Sequence, residues 1–323
     1  MNRKNFLKTI GGGTLAVAFA PNFLYARNKQ NLDFGTSYKL TILHTNDQHS
    51  RIEPFEATYK PNPNQGGIAR RASLVQQIRA AENNVLLLDS GDIFQGTPYF
   101  NFFGGELEFK LMTMMKYDAS TMGNHDFDNG LEGFLKVLPN ADFPFICSNY
   151  DFKNTVLDGK TVPFKIFNKN GIKVGIFGLG IELQGLVGRK NYAETVYNDP
   201  VEIAQQYADL LKNEKKCDLV ICLSHLGFEF KDVPQKICDV QLAQKTENID
   251  VILGGHTHTF LSEPINYQNR KGKNVLVNQV GWAGLLLGRI DFYFDKEKNI
   301  NRISWNNQVI DNKIQDFSSN GIL

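Results

Sequence analysis

Five short polar clusters hold most of the residues that could do chemistry. They read HTNDQH (44–49), SGDIFQG (90–96), GNHDFD (123–128), LSHLG (223–227) and GGHTH (254–258). They supply Asp47, His49, Asp92, Asn124, His225, His256 and His258, all oxygen or imidazole donors, and none of the clusters is rich in Cys. Such donors suit divalent Zn, Mn, Fe or Co rather than an iron–sulfur cluster or a structural zinc. Seven donors exceed the needs of one tetrahedral ion and fit two ions with Asp92 as the bridge. Two divalent ions offset by two carboxylates keep a net positive charge, which attracts a phosphate dianion. Paired ions about 3.5–4 Å apart can hold the attacking and phosphoryl oxygens together, and a metal lowers the pKa of its water toward ~7.

The GNHDFD cluster carries a second function. Asn124 offers a neutral oxygen to one ion. His125, next along the chain, points elsewhere and is free for acid catalysis on a departing alkoxide. Asp128 lies three residues on, where side chains on one helical turn meet, and is the expected partner of His125. Asp126 is read as a cap or a supporting acceptor. His44 closes the preceding strand and is read as a structural or supporting residue rather than a ligand.

These clusters need elements to position them. YKLTILHT (38–45), NVLLLDSGD, CDLVICLSH and IDVILGGHTH read as apolar strands ending in polar residues. GIARRASLVQQIRAAE (67–82) places Ile68, Ala72, Val75 and Ile78 on one helical face. GGELEFKLMTMMKY is helical, and DPVEIAQQYADLLKNE is a helix opened by Asp199 and Pro200. Asn170-Gly171 joins two strands as a hairpin, and DFPFICSNY reads as a further strand. PYFNFF (98–103) could touch a substrate from beside the Asp92 loop but reads better as core. KNVLVNQVG, LLLGRIDFYFD and INRISWNNQVI close the chain as sheet. Strands and helices alternate and strands dominate the end, which predicts a layered α/β domain. Its polar clusters sit at the carboxyl ends of strands, where such sheets bind ligands.

The chain has 323 residues, 42% hydrophobic and 21% charged, as expected of a globular protein with a sizeable core. Its first 26 residues carry Arg3, Lys4 and Lys8, a Gly-rich apolar stretch and then Ala26. This pattern predicts a cleaved export signal resembling the twin-arginine type, with Lys in the second position, and an extracytoplasmic or periplasmic location without a stable membrane anchor. Cleavage removes three of 35 basic residues and leaves 32 against 34 acids, a net charge of −2. With no basic block, nucleic acid is not the expected partner. Cys147, Cys217, Cys222 and Cys238 form no metal-binding pair and read as buried thiols, although one disulfide could form in an oxidising compartment. The expected organisation is an export signal (1–26), a flexible segment (27–37), one metal-binding domain (38–311) and a tail (312–323).

The motif set ILHTNDQH, GGIARRASLVQQIR, GDIFQGTPYFNFFGGE, GNHDFDNG, FPFICSNY, SHLG, GGHTH and VNQVGWAGLLLGRIDFYFD resembles the calcineurin-like metallophosphoesterases, and within them the 5′-nucleotidase branch. The likeness runs over residues 38–311. It implies a four-layer αββα sandwich. It also implies one ion on Asp47, His49, Asp92 and His258, a second on Asp92, Asn124, His225 and His256, and a catalytic dyad of His125 with Asp128. The implied substrates are phosphate monoesters, foremost 5′-nucleotides. Members of that branch usually continue into a second domain that clamps the nucleoside base, whereas this chain ends at Leu323, soon after the last expected strand. The expectation is therefore a metallophosphatase domain alone. Either a separate chain supplies nucleotide recognition, or the substrate is another ester: a sugar nucleotide, a 2′,3′-cyclic nucleotide or a sulfur ester.

Overall fold

The computed structural model describes residues 37–317, apart from position 234. The expected export signal, nearly all of the 27–37 segment and the end of the tail lie outside the described residues. One sheet contains β1 (Tyr38–Thr45), β2 (Val85–Asp89), β3 (Ala119–Ser120), β12 (Leu286–Phe294) and β13 (Ile300–Trp305), in the order β13-β12-β1-β2-β3, with β14 (Gln308–Val309) on β12. The other contains β5 (Phe164–Lys169), β6 (Ile172–Leu179), β8 (Leu219–Ser224), β9 (Val251–Leu253), β10 (Ile265–Gln268) and β11 (Asn274–Asn278), in the order β10-β11-β9-β8-β6-β5. A two-stranded ribbon pairs β4 (Tyr150–Asp151) with β7 (Val196–Tyr197). β1, β2 and β3 run parallel, as do β6, β8, β9 and β11.

The strands are continuous apolar runs because both of their faces are covered. Leu40, Ile42, Leu86 and Leu88 of the first sheet meet Leu219, Ile221, Leu223 and Val251 of the second in a shared middle layer. The alternate residues Leu43, Val85 and Leu87 face α1 (Ile68–Ala81), α3 (Glu106–Met114) and α4 (Gly130–Val137). On the far side, Val220, Cys222 and Ile252 meet α6 (Pro200–Asp209) and α7 (Asp239–Lys245). The result is the αββα sandwich.

Local signals also act as their chemistry dictates. Asn170 (φ 52°) and Gly171 (φ 87°) both adopt the left-handed conformation that a two-residue hairpin turn requires, joining Lys169 to Ile172. Asp199 accepts the N–H groups of Val201 and Glu202 and caps α6. All four cysteines are free and buried.

Two expectations are corrected. PYFNFF is not core: it forms α2 (Pro98–Phe103), which has no buried residue, and Phe102 is 81% exposed. Phe100 alone turns onto Phe94, at 5.4 Å between ring centroids, so the opposite side of this six-residue helix meets solvent. DFPFICSNY is not one strand, because Phe145 bridges Ser120 while Ile146 bridges Val162, and among the described residues no ladder extends before β4. Among the described residues no helix is long and apolar enough to cross a membrane.

Candidate metal centre

The carboxyl ends of β1, β2, β3, β8 and β9 carry every candidate donor. Asp47 and His49 follow β1, Asp92 follows β2, and Asn124 and His125 follow β3. His225 directly follows β8, and His256 and His258 follow β9. The two sheets are tied together at this end. Ser90 Oγ donates to the Leu253 carbonyl at 2.8 Å, and His225 Nδ1 lies 2.7 Å from the Ser90 carbonyl. The loops bend sharply to aim their side chains. Asp47, His49, Asp92, His256 and His258, five of the seven candidate donors, have φ between 49° and 68°. Non-glycine residues seldom adopt this region, at about 1–3 kcal/mol each. The strands beneath these loops bury Leu40, Ile42, Leu86 and Leu88 completely and hold the loops in place.

The donors form two groups that meet. The ligand atoms of Asp47, His49 and His258 lie within 4.8 Å of one another, and so do those of Asp92, His225 and His256. In the first group, His49 Nε2 is 2.9 Å from His258 Nε2, and His258 Nε2 is 3.3 Å from Asp47 Oδ1. In the second, His225 Nε2 stands 3.0 Å from Asp92 Oδ2, and His256 Nδ1 stands 2.8 Å from Asn124 Oδ1. Asp92 Oδ2 also lies 3.8 Å from His49 Nε2, so one carboxylate borders both groups.

The His225–Asp92 and His258–Asp47 spacings, 3.0 and 3.3 Å, fit cations. Ligands about 2.1 Å from an ion sit roughly 3.0–3.4 Å from one another. His225 is completely buried, with its Nε2 facing the Asp92 carboxylate. Asp47 and Asp92 are buried carboxylates, and among the described residues only histidines stand in ion-pair range of them. A buried charge needs compensation.

Electrostatics tie the donors to one another. Burial alone would raise the Asp92 carboxyl and lower the His225 imidazole. Their attraction reverses both, holding Asp92 below the carboxylate range and His225 up at about 10. Burial pushes His256 down to about 4 and also lowers His49, which keeps ring nitrogens unprotonated for ligation. Two glycines permit the close approach. A Cβ on Gly123 would run into the Asp92 carboxylate and the His225 ring, and one on Gly255 would crowd His225 Nδ1 and the Ser90 carbonyl.

His125 is set apart from the ligand atoms. Its backbone N–H donates to Asp92 Oδ1 at 2.8 Å, and its Nδ1 lies 2.7 Å from Asp128 Oδ2. The Asp128 hydrogen bond is the main force raising its pKa above the ordinary imidazole value. His125 lines a cleft of ≈ 320 Å³ together with His49, Asp92, Asn124, His256 and His258. The expected His125–Asp128 pairing is therefore present in space.

Further buried polar residues support the donors from behind. Asp126 is an acceptor, not a helix cap: its buried carboxylate takes the backbone N–H groups of Asp92, Ile93, Phe94 and Gly123 at 2.8–3.2 Å. It stitches the Asp92 loop to the GNHDFD loop. Burial pushes its carboxyl up to about 7, with the Asp92 charge adding to the rise. Asp239 accepts Ser224 Oγ at 2.5 Å behind His225, and nothing in the motif spacing points to it. His44 is structural: its buried Nε2 lies 2.8 Å from Asn278 Nδ2.

An αββα sandwich with oxygen and nitrogen donors meeting at one aspartate defines the class, and comparison with known proteins agrees. The chain belongs to the calcineurin-like phosphoesterase family, whose model matches residues 40–260. It is 36% identical over 301 residues to a snake venom 5′-nucleotidase of Crotalus adamanteus, which covers 87% of this chain and 49% of that protein. It is 34% identical over 285 residues to the 5′-nucleotidase of Homo sapiens, 82% of this chain and 48% of the other. Among solved structures, a 5′-nucleotidase precursor from Thermus thermophilus matches with a TM-score of 0.77 at 30% identity, over 87% of this chain and 56% of that one. The chain thus spans about half the length of these relatives.

Proposed function

We propose that this chain hydrolyses phosphate monoesters at a two-ion centre, with 5′-nucleotides as its leading substrates. One observation carries the reading: two donor groups border a single Asp92 carboxylate, and His125 stands beside them on the same cleft. In this reading Asp47, His49, Asp92 and His258 hold one divalent ion, and Asp92, Asn124, His225 and His256 hold the other. The donors suit Zn, Mn, Fe or Co. When bound, such ions act as Lewis acids that activate water and neutralise phosphoryl charge.

The chain's own residues do the rest. His125, held by Asp128, gives its proton to the leaving alkoxide, a role its raised pKa favours at neutral pH. Asp92 anchors the backbone of His125, which fixes the acid relative to the donors. The nucleotide assignment draws on the relatives named 5′-nucleotidases. Export, by a twin-arginine-like route to an extracytoplasmic compartment, is supported by Arg3, Lys4 and Lys8 ahead of an apolar stretch.

The test is phosphate release by the purified chain, loaded with Mn²⁺ or Zn²⁺, from 5′-nucleotides, sugar phosphates and diesters. Release from 5′-nucleotides that a chelator abolishes is expected. Turnover confined to sugar nucleotides, cyclic nucleotides or sulfur esters would reassign the substrate. Turnover only after a nucleotide-binding chain is added would make this domain a catalytic subunit. A fully loaded chain inert toward every ester, alone and with such a chain, would refute the reading.

A further inference from the structure

Metal-binding histidines are usually oriented by a hydrogen bond from the ring nitrogen that does not face the ion. His225 and His49 follow this pattern, presenting Nδ1 to the carbonyls of Ser90 at 2.7 Å and Phe94 at 3.3 Å. His258 does not. Its Nε2 faces His49 and Asp47, and among the described residues its Nδ1 has no hydrogen-bond partner. Its side chain is also 39% exposed, so hydrogen bonding and burial leave this ring the least restrained of the three.

What holds it is Trp282. The two rings are nearly parallel, with an interplanar angle of 8° and centroids 5.6 Å apart, an offset stack. The indole is itself fixed. Its edge meets Phe55 at 5.8 Å, and Phe55 stacks on Tyr59 at 4.5 Å. Its backbone is stapled on both sides to segments that carry the first donor group. Gly281 N donates to the carbonyl of Thr259, the residue after His258, and Asn46 Nδ2 donates to the Gly281 carbonyl. Ala283 N donates to the Asp47 carbonyl at 2.7 Å.

We propose that Trp282 is a positioning residue for the ion held by Asp47, His49, Asp92 and His258, with its indole face supplying the orientation that a hydrogen bond supplies to His225 and His49. The proposal rests on the two-ion reading above. Trp282 also lines the cleft, so activity alone would confuse positioning with substrate contact, and the test reads ion binding.

Calorimetric titration of the metal-free full chain with Mn²⁺ compares wild type, Trp282→Phe and Trp282→Leu, with far-UV dichroism as the folding control. The expected result is two ions in wild type, one of them weakened about 10–100-fold in Trp282→Leu, and most of that loss restored by the aromatic ring of Trp282→Phe. Two ions of wild-type affinity in folded Trp282→Leu would overturn the proposal and leave the two-ion reading intact. Fewer than two ions in wild type would overturn that reading first, and this proposal with it. A second measurement does not depend on Trp282→Leu folding. The chain has two tryptophans, so in Trp305→Phe all indole emission comes from Trp282. Emission unchanged as Co²⁺ saturates the site would refute the proposal, because the indole would then lie away from the ion that His258 holds.

Discussion

His125 is tied at both ends: its backbone N–H reaches Asp92 Oδ1 at 2.8 Å while its ring Nδ1 reaches Asp128 Oδ2 at 2.7 Å. The main chain is thus anchored to the carboxylate between the two donor groups, and the side chain is anchored away from it. His125→Ala removes the side chain without touching any donor atom. It should retain wild-type metal content and lose about 10²–10⁴-fold in kcat, the usual span for a general acid. Metal analysis with steady-state kinetics checks both halves, and turnover at the normal rate would remove His125 from the chemistry.

The Asp128 carboxylate stabilises the protonated ring, so the folded pKa of His125 lies above the ordinary imidazole value. The acid form is present below that pKa and is lost as pH rises through it, giving the rate profile an alkaline limb. Asp128→Asn removes the anion and lowers the His125 pKa. The alkaline limb should therefore move to lower pH, as a pH–rate profile of the variant would reveal. A limb that stays in place would show that another group sets it.

Asp126 takes four backbone donors from two loops. In Asp126→Asn an amide N–H would face at least one of those donors, leaving buried groups unsatisfied. Urea unfolding should show a loss of about 2–4 kcal/mol, and metal content should fall because Asp92 is no longer held. Unchanged stability with full metal content would mean that the loops are fixed by other contacts.

His44 predicts a pH dependence of stability away from the centre. Burial lowers its folded pKa to about 3, against 6.5 for the ordinary imidazole. Between these values the unfolded chain binds more protons, so stability is lost as pH falls through that window. In His44→Gln this contribution is absent. The stability advantage of the natural chain over the variant should shrink by up to about 2 kcal/mol between pH 7 and pH 5. Parallel stability curves would refute it.

Much of the centre was legible because its donors sit in short clusters directly after apolar runs, and such runs become buried strands that place their carboxyl ends together. Asn170-Gly171 and Asp199-Pro200 were legible for a similar reason, since each is a local device whose backbone demand is set by residue type. What was not legible depends on distance along the chain. Nothing near Thr41 announces that β1 pairs with β12, where Thr41 Oγ1 bonds Asp291 Oδ1 across 250 positions. PYFNFF has the composition of core, yet α2 lies at the surface with Phe102 and Phe103 outward. The stack of Trp282 on His258 joins residues from separate strand ends, and only the fold brings them together.

The central claim is that two ions share Asp92, and electron paramagnetic resonance of the Mn²⁺-loaded chain tests it most directly. Two Mn²⁺ per chain with an exchange-coupled multiline spectrum are predicted, since a bridging carboxylate holds paired ions about 3.5–4 Å apart. Asp92→Ala should lose that coupled signal. A single Mn²⁺ per chain, or two ions showing only the six-line pattern of isolated Mn²⁺, would contradict the account.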